Sequence, residues 1–202
     1  MNTEDKNITN QSSSPANSAG WTLRQKRAAS LISIVMSNNK VILRDFGKND
    51  IESLVLYLNN KNVTKYLTSR IPQPYSIDDA KWWVITGSKE GITKAVEVNG
   101  KFVGSIGATA GDFESNRSAE IGYWLEENSW GKGIASEAVI KMTEYVFANT
   151  NIVRLYAPVF SPNKASMRVL EKCGYQLEGV LRKAIFKNGI FLDEHLYAKI
   201  SS

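Results

Sequence analysis

The sequence EIGYWLEENSWGKGIAS, residues Glu120–Ser136, combines the signals of a strand, a turn and the start of a helix. It begins as a strand, because β-branched and aromatic side chains alternate along it and Ile121, Tyr123 and Leu125 share one face. Trp124 points to the opposite face. The polar residues that follow interrupt this period of two, so the strand is predicted to end before the second half of the stretch.

The second half is predicted to be a turn that opens a helix. Gly131 and Gly133 bracket Lys132. An apolar stripe at helical spacing follows them: Ala135, Ala138, Met142, Tyr145. The first N–H groups of a helix are unpaired and the helix dipole adds positive potential there, so such a turn binds phosphate well. A plain corner between a strand and a helix fits the two glycines equally well.

Two nucleotide-binding motifs are excluded at this turn. The chain has no G-x-x-x-x-G-K-[ST] sequence, which argues against a nucleoside-triphosphate P-loop. The turn also has no third glycine, and no acidic residue follows a second strand, so a dinucleotide fingerprint fails.

The run Trp130–Ala135, WGKGIA, resembles the acyl-CoA signature Q/R-x-x-G-x-G/A of the GNAT superfamily of acetyl-CoA-dependent N-acetyltransferases. Gly133 and Ala135 match its last two fixed positions, whereas Trp130 stands where most members have Gln or Arg. That departure is common in the branch resembling the ribosomal-protein N-terminal (Rim-type) acetyltransferases, whose signature also begins EIGYWL. The resemblance extends from about Val41 to Ile200.

This resemblance implies an α/β fold with a mixed, mostly antiparallel sheet flanked by helices. Two parallel strands of that sheet splay apart, and the pantetheine arm of acetyl-CoA lies in the gap against exposed strand backbone. The implied cofactor-binding residues are Tyr123, Trp124, Leu125, Trp130, Gly131, Lys132, Gly133, Ile134, Ala135, Ser136 and Asn163. An unpaired strand edge is otherwise a liability, so a ligand that completes it is physically reasonable.

The elements upstream are predicted from periodicity and turn signals. A strand at Val41–Arg44 precedes a helix with Asn49 or Asp50 as candidate cap. A second short helical piece begins at Val63 and ends at the turn around Pro72. Farther on, Ser76 and Asp79 form a Ser-x-x-Asp capping box that opens another helix. The pair Asn99-Gly100 predicts a hairpin. In the similar family the helical part forms a wall of the acceptor pocket, which implies Tyr66, Tyr75 and Trp82 as substrate-binding candidates. Aromatic packing onto the sheet is the alternative for each.

The elements downstream complete the sheet. A strand at Ile152–Val159 follows a helix, so it is predicted to lie parallel to the strand of the opening stretch. Asn163 starts the next helix and Gly174 ends it. An Asn-Gly turn within Lys187–Ile190 predicts a last hairpin.

Composition indicates one ordinary globular domain. The 202 residues are 43% hydrophobic and 22% charged, with no apolar run long enough for a membrane span. The net charge of +5 is modest and aromatic residues are not interleaved with basic ones, so nucleic-acid binding is not expected. A single cysteine fits a reducing, cytoplasmic compartment, and one cysteine with one histidine excludes a usual zinc site, so no metal is expected. A monomer and a homodimer both fit.

Residues 1–35 are predicted to be a disordered extension of a domain at residues 36–202. The first twenty residues are polar and lack a periodic apolar face. Basic and then apolar residues follow from Arg24 to Val35, but no small-residue cleavage site marks a signal peptide. A tethering helix, or sequence translated ahead of a start at Met36, fits this segment.

The proton transfers are assigned to two residues. Glu120 enters the cleft region and is predicted to be the general base, acting through water, although a surface carboxylate is the alternative. Many family members protonate the leaving thiolate with a tyrosine where this chain has Leu170. Ser166, on the same helix face, is predicted to donate to the sulfur instead, or it serves only as a capping or core serine. His195 is interpreted as a hydrogen-bonded strand histidine and Cys173 as a packed small residue.

The predicted activity is transfer of acetyl from acetyl-CoA to a primary amine by direct attack in a ternary complex. The favoured acceptor is the N-terminal α-amine of a protein. Two alternatives stay open: an acetyltransferase of small amines such as antibiotics or polyamines, and a non-catalytic acyl-CoA sensor.

Overall fold

The structure is a computed structural model that describes residues 40–201. Its strands are β1 Val41–Arg44, β2 Ile92–Val98, β3 Lys101–Ala110, β4 Ser118–Leu125, β5 Arg154–Phe160, β6 Gln176–Lys187 and β7 Ile190–Ile200. Its α-helices are α1 Ile51–Leu58, α2 Lys61–Thr64, α3 Ile77–Ile85, α4 Ile134–Asn149 and α5 Lys164–Lys172. The predictions made for residues 1–35 lie outside the described residues.

The strands form one seven-stranded sheet in the order β1-β2-β3-β4-β5-β7-β6. β4 and β5 are parallel, and every other neighbouring pair is antiparallel. The helix α4 connects the two parallel strands, as a crossover between parallel neighbours requires. The predicted mixed, mostly antiparallel α/β sheet is confirmed.

The parallel pair separates after three residues. Ser118–Glu120 of β4 lie opposite Arg154–Tyr156 of β5, whereas β5 continues beside β7 along its whole length. Within residues 40–201, the edge of Ile121–Leu125 that faces β5 therefore has no strand partner. This is the splayed pair that the resemblance implied.

The sheet is covered on both faces by apolar side chains. One cluster joins the sheet to α4 and α5 and contains Ile121 and Leu125. The other joins the sheet to α1 and α3, and Trp124 packs against it with its ring edge-on to Phe102. The alternation predicted for β4 is confirmed, because consecutive residues of this strand serve opposite layers.

Both predicted Asn-Gly hairpins are present. Asn99 and Gly100 have φ values of 51° and 78°, and Asn188 and Gly189 have 51° and 79°. Positive φ at both central residues is the geometry of a type I′ turn, whose twist matches that of the strands. The turn type could therefore be predicted from the two Asn-Gly dipeptides.

The cap predicted for α3 is confirmed, whereas the cap predicted for α1 is not. Ser76 and Asp79 form the capping box of α3, with the Asp79 N–H donating to Ser76 Oγ and the Ser76 N–H donating to the Asp79 carboxylate. The prediction that Asn49 or Asp50 caps α1 is wrong. Asp50 stands at the N-cap position without a capping bond, because its carboxylate accepts both arms of the Arg44 guanidinium at 2.7 and 2.8 Å.

Two boundaries and one side-chain position also differ from their predictions. α2 ends at Thr64, so the helical piece does not continue to the proline turn. β5 begins at Arg154 rather than Ile152. Tyr145 is 46% exposed and lies outside the apolar stripe of α4. Among residues 40–201, no helix is long and apolar enough to cross a membrane.

Candidate active site

The glycine turn leaves the start of α4 open. Gly131 and Gly133 have φ values of 73° and 78°, a left-handed conformation that L-residues with a Cβ rarely adopt. Gly133 is the N-cap of α4 and has no side chain to pair with the first N–H groups of the helix. A Cβ built at either glycine would meet no heavy atom within 4 Å, so a ligand can approach this backbone closely.

A cavity of about 580 Å³ lies beside this turn, a volume suited to a small-molecule or cofactor site. Its walls come from β4, the loop after it, the start of α4, one face of α5 and the segment around α2. The predicted site residues in its lining are Tyr66, Tyr123, Trp124, Leu125, Trp130, Gly131, Gly133, Ile134, Ala135, Ser136, Asn163 and Ser166. The cavity therefore brings together the unpaired edge of β4, the glycine turn at the start of α4, and the helix α5 that was predicted to face the sulfur.

Four predicted residues are placed elsewhere. Lys132 lies on the glycine turn with its side chain exposed, and Glu120 lies on β4 next to the point where the parallel pair separates. Tyr75 is buried in the cluster under α1 and α3, where its backbone N–H and C=O pair with the side chain of Asn59. Trp82 is 54% exposed on α3. Neither Tyr75 nor Trp82 lines the cavity, and their part in acceptor binding stays a prediction.

Glu120 lies on the face of the sheet opposite to α4. Its register partners are Thr109 on β3 and Tyr156 on β5. The side chain is exposed, yet enough protein surrounds its carboxyl group for burial to raise the pKa above the ordinary value. The negative charge of Glu194 raises this pKa further, and Arg70 opposes the shift. A carboxylate with a raised pKa is a stronger base than an ordinary glutamate.

Ser166 lies in the first turn of α5 and is fixed at two atoms. Its N–H donates to the side chain of Asn163 at 3.2 Å, which caps the helix as predicted. Its Oγ lies 2.8 Å from the hydroxyl of Tyr123. Burial raises the pKa of Tyr123 well above its usual range, so this phenol stays protonated. Leu170, one turn farther along, is fully buried.

The loop after β4 is held by two carboxylates that the sequence reasoning did not single out. Glu126 is buried and accepts hydrogen bonds from Ser129 Oγ and the Asn128 N–H. Glu127 accepts from the side-chain amides of Asn60 and Asn62 at 2.8 and 2.9 Å, which tie the start of α2 to this wall of the cavity. The sequence contains no local signal for the contact of Glu127 with Asn60 and Asn62, since these residues lie more than sixty positions before it in the chain.

Basic side chains surround the same cavity. Lys65, Arg168 and Lys172 are in its lining. Arg168 and Lys172 are four residues apart on α5 and therefore share a face. This spacing could have been recognised in the sequence. Three positive charges beside a helix N-terminus favour an anionic ligand.

Two other candidates have structural positions. Cys173 is buried and its thiol donates to the Ser136 carbonyl oxygen at 3.4 Å, while burial raises its pKa to about 11. Its interpretation as a packed small residue is confirmed. The interpretation of His195 as fully hydrogen-bonded is wrong, because its buried Nδ1 has no hydrogen-bond partner within the described part of the chain. The residues opposite His195 on the neighbouring strands are Val159 on β5 and Val180 on β6, and neither has a polar side-chain atom to pair with Nδ1.

Comparison with known families identifies one domain. The model of the family described as "Acetyltransferase (GNAT) domain" matches residues 40–176. The uncharacterised N-acetyltransferase YoaA of Bacillus subtilis (strain 168) is 33% identical over 171 residues, which are 81% of this chain and 95% of that protein.

Solved structures share the fold. The Microcin C7 self-immunity acetyltransferase MccE, in complex with acetyl-CoA and AMP, is 28% identical with a TM-score of 0.69, over 81% of this chain and 94% of the other. RimL, a ribosomal L7/L12 α-N-protein acetyltransferase in complex with coenzyme A, is 26% identical with a TM-score of 0.70, over 82% of this chain and 96% of the other.

Proposed function

This chain belongs to the GNAT acetyltransferase family, and from this premise we propose that it transfers the acetyl group of acetyl-CoA to the N-terminal α-amine of a protein. It is an acetyl-CoA-dependent N-acetyltransferase by family; the α-amine acceptor and direct attack within a ternary complex are the proposed parts. The observation that carries acetyl transfer is the parting of β4 and β5 after Glu120, which leaves the edge of Ile121–Leu125 open beside the cavity.

The cavity residues fit acetyl-CoA. The open N-terminus of α4, with Gly133 as its N-cap, offers backbone N–H groups to the pyrophosphate. The partnerless edge of Ile121–Leu125 offers backbone groups to the amides of the pantetheine arm. Lys65, Arg168 and Lys172 add positive charge for the phosphates.

The first half of the reaction needs a neutral amine and a stabilised oxyanion. Glu120 takes the amine proton through water, and its raised pKa improves it as a base. An α-amine has a pKa of about 7.7–8.0 against about 10.4 for lysine, so a base acting through water suffices for the α-amine. The neutral nitrogen then bonds to the thioester carbon and loses its second proton to water as the amide forms, and a backbone N–H on the free edge of β4 faces the oxygen that becomes negative.

The second half expels the thiolate. The C–S bond breaks with its electron pair on sulfur, while the C–N bond of the new amide remains. A thiol of this type has a pKa of roughly 8.5, so the thiolate leaves at small cost. Ser166 lines the cavity, and we infer that it donates a hydrogen bond to that sulfur.

A small-amine acceptor is the second candidate. It fits the charges near Glu120, where Glu194 adds a second carboxylate that would attract a cationic amine. The third candidate, an acyl-CoA sensor, would bind the donor without turnover.

Matched acceptors separate these candidates. The full chain is incubated with acetyl-CoA and one of three acceptors: a peptide with a free α-amine and an acetylated lysine, the same peptide with a blocked α-amine and a free lysine, or a polyamine. Thiol release is measured with peptides that begin with Ala, Ser or Met. We expect release with the first kind of peptide. Release with the polyamine alone would establish the small-amine enzyme, and no release despite acetyl-CoA binding would establish the sensor.

A further inference from the structure

A tyrosine from β4 reaches the residue predicted to face the leaving sulfur. The hydroxyl of Tyr123 lies 2.8 Å from Ser166 Oγ and 3.2 Å from the Ser166 carbonyl oxygen. Both residues line the cavity. The contact joins the free edge of one parallel strand to the first turn of α5, forty-three positions later in the chain.

The helix itself supplies no second hydroxyl at this point. Leu170, one turn after Ser166, is fully buried in the core. A serine hydroxyl rotates freely and can turn its hydrogen toward several acceptors. The single hydrogen of the Tyr123 hydroxyl faces two acceptors on Ser166, the carbonyl oxygen at 3.2 Å and Oγ at 2.8 Å, and in the shorter contact either hydroxyl can be the donor. When the phenol donates to Oγ, the serine hydrogen is released to point into the cavity.

We propose that Tyr123 is a positioning residue that donates to Ser166 Oγ and thereby directs the serine hydroxyl to the sulfur of the acyl donor. This rests on the proposed acetyl transfer. Chains of hydrogen bonds polarise one another, so the serine becomes a stronger donor when its oxygen accepts from the phenol. No proton leaves Tyr123: the electron pair of the C–S bond goes to sulfur, one amine proton goes to Glu120 through water, the second goes to solvent as the amide forms, and the thiolate is held by the hydrogen bond from Ser166.

Phenol deprotonation does not interfere with this arrangement. Burial is the main cause of the raised pKa of Tyr123, and the surrounding Cys173 and Tyr175 raise it further against the opposing hydrogen bond with Ser166. The hydroxyl therefore keeps its hydrogen around the pH at which an α-amine becomes neutral, about 7.7–8.0.

Tyr123→Phe tests the role with a matched control. Tyr175 has another buried phenol, bonded to Thr143 Oγ1 at 2.8 Å, and it does not line the cavity. We expect Tyr123→Phe and Ser166→Ala each to lower kcat by about tenfold while the affinity for acetyl-CoA stays unchanged. The double variant should lose little more than either single one, because the two hydroxyls act as one unit. Tyr175→Phe should keep kcat. Multiplying losses in the double variant, or an unchanged kcat in Tyr123→Phe, would overturn the proposal.

A second measurement does not depend on turnover. Coenzyme A is bound to each variant, and its thiol is titrated by the ultraviolet absorbance of the thiolate. A hydrogen bond that favours the thiolate should make the bound thiol about tenfold more acidic in the wild type than in Tyr123→Phe or Ser166→Ala. If Tyr123→Phe does not fold, Ser166→Ala carries the comparison. Equal acidity in the wild type and the variants would overturn the proposal. A difference in acidity without turnover on any amine would instead contradict the proposed function alone.

Discussion

At the scale of single residues, Glu120 is the group on which the amine chemistry depends. Glu120→Gln removes the base, so turnover should fall, and it should fall most for a lysine-like amine because that amine is almost fully protonated at neutral pH. Raising the pH neutralises the amine without help and should partly restore the rate. The measurement is kcat/KM across pH, with Glu114→Gln, an exposed carboxylate on the loop before β4, as the control. An unchanged pH profile in Glu120→Gln would sink the base assignment.

Asp50 carries a stability prediction. Burial alone would raise its pKa, but the hydrogen bonds from Arg44 and the Gly47 N–H outweigh burial and hold the pKa below the ordinary value. Since the folded state favours the ionised form, the pair stabilises the fold fully above the unfolded pKa of about 3.9 and loses its effect as pH falls through the folded value. Thermal unfolding followed from pH 7 to pH 2 should show this loss. Asp50→Asn should make it smaller without removing it, because the pKa values of other paired carboxylates are also lowered: Asp45, Asp79, Glu127 and Glu178.

Arg44→Met leaves the buried Asp50 carboxylate without its ion-pair partner, with only the Gly47 N–H still donating to it, and it also removes the ion pair of Arg44 with Glu97. We expect a cost of about 3 kcal/mol in the free energy of unfolding at pH 7, measured with urea. Lys81→Met is the control, because it breaks an exposed ion pair with Asp78 and should change stability by less than about 1 kcal/mol. Equal losses in the free energy of unfolding for Arg44→Met and Lys81→Met would show that burial of Asp50 does not strengthen its ion pair with Arg44.

At the scale of elements, the glycine turn at the start of α4 has a matched test. Gly133→Val and Gly100→Val both force a β-branched residue to a φ of 78° in open space, so the two should destabilise the fold by similar amounts. Only Gly133 lies at the cavity. Calorimetry should therefore show at least a tenfold loss of acetyl-CoA affinity for Gly133→Val alone. Equal affinities in both variants would remove the turn from the donor site.

The same elements show what the sequence predicts and where it stops. Gly133, the Ser76–Asp79 box and the Asn-Gly hairpins were predictable because their geometry follows from residues a few positions apart. The contact between Tyr123 and Ser166 was not, because only the parting of β4 from β5 brings α5 against that strand. Asp50 was assigned wrongly because a carboxylate suits both a helix cap and an ion pair, and the tertiary fold supplies the arginine.

At the scale of the whole molecule, β1 begins at Val41, which is fully buried. We propose that residues 36–202 form the domain, so a chain that begins at Met36 should keep the melting temperature and acetyl-CoA affinity of the full chain. Scanning calorimetry and titration calorimetry make the comparison. A lower melting temperature would show that residues 1–35 stabilise the domain.

The central claim is that the parted edge of β4 and the start of α4 hold acetyl-CoA. Amide hydrogen exchange with and without the donor tests it most directly. We expect slower exchange in Ile121–Leu125 and in Gly133–Ser136 when acetyl-CoA is bound, and unchanged exchange at the Asn99–Gly100 hairpin. Donor binding seen by calorimetry with no new protection in β4 or at the start of α4 would contradict it.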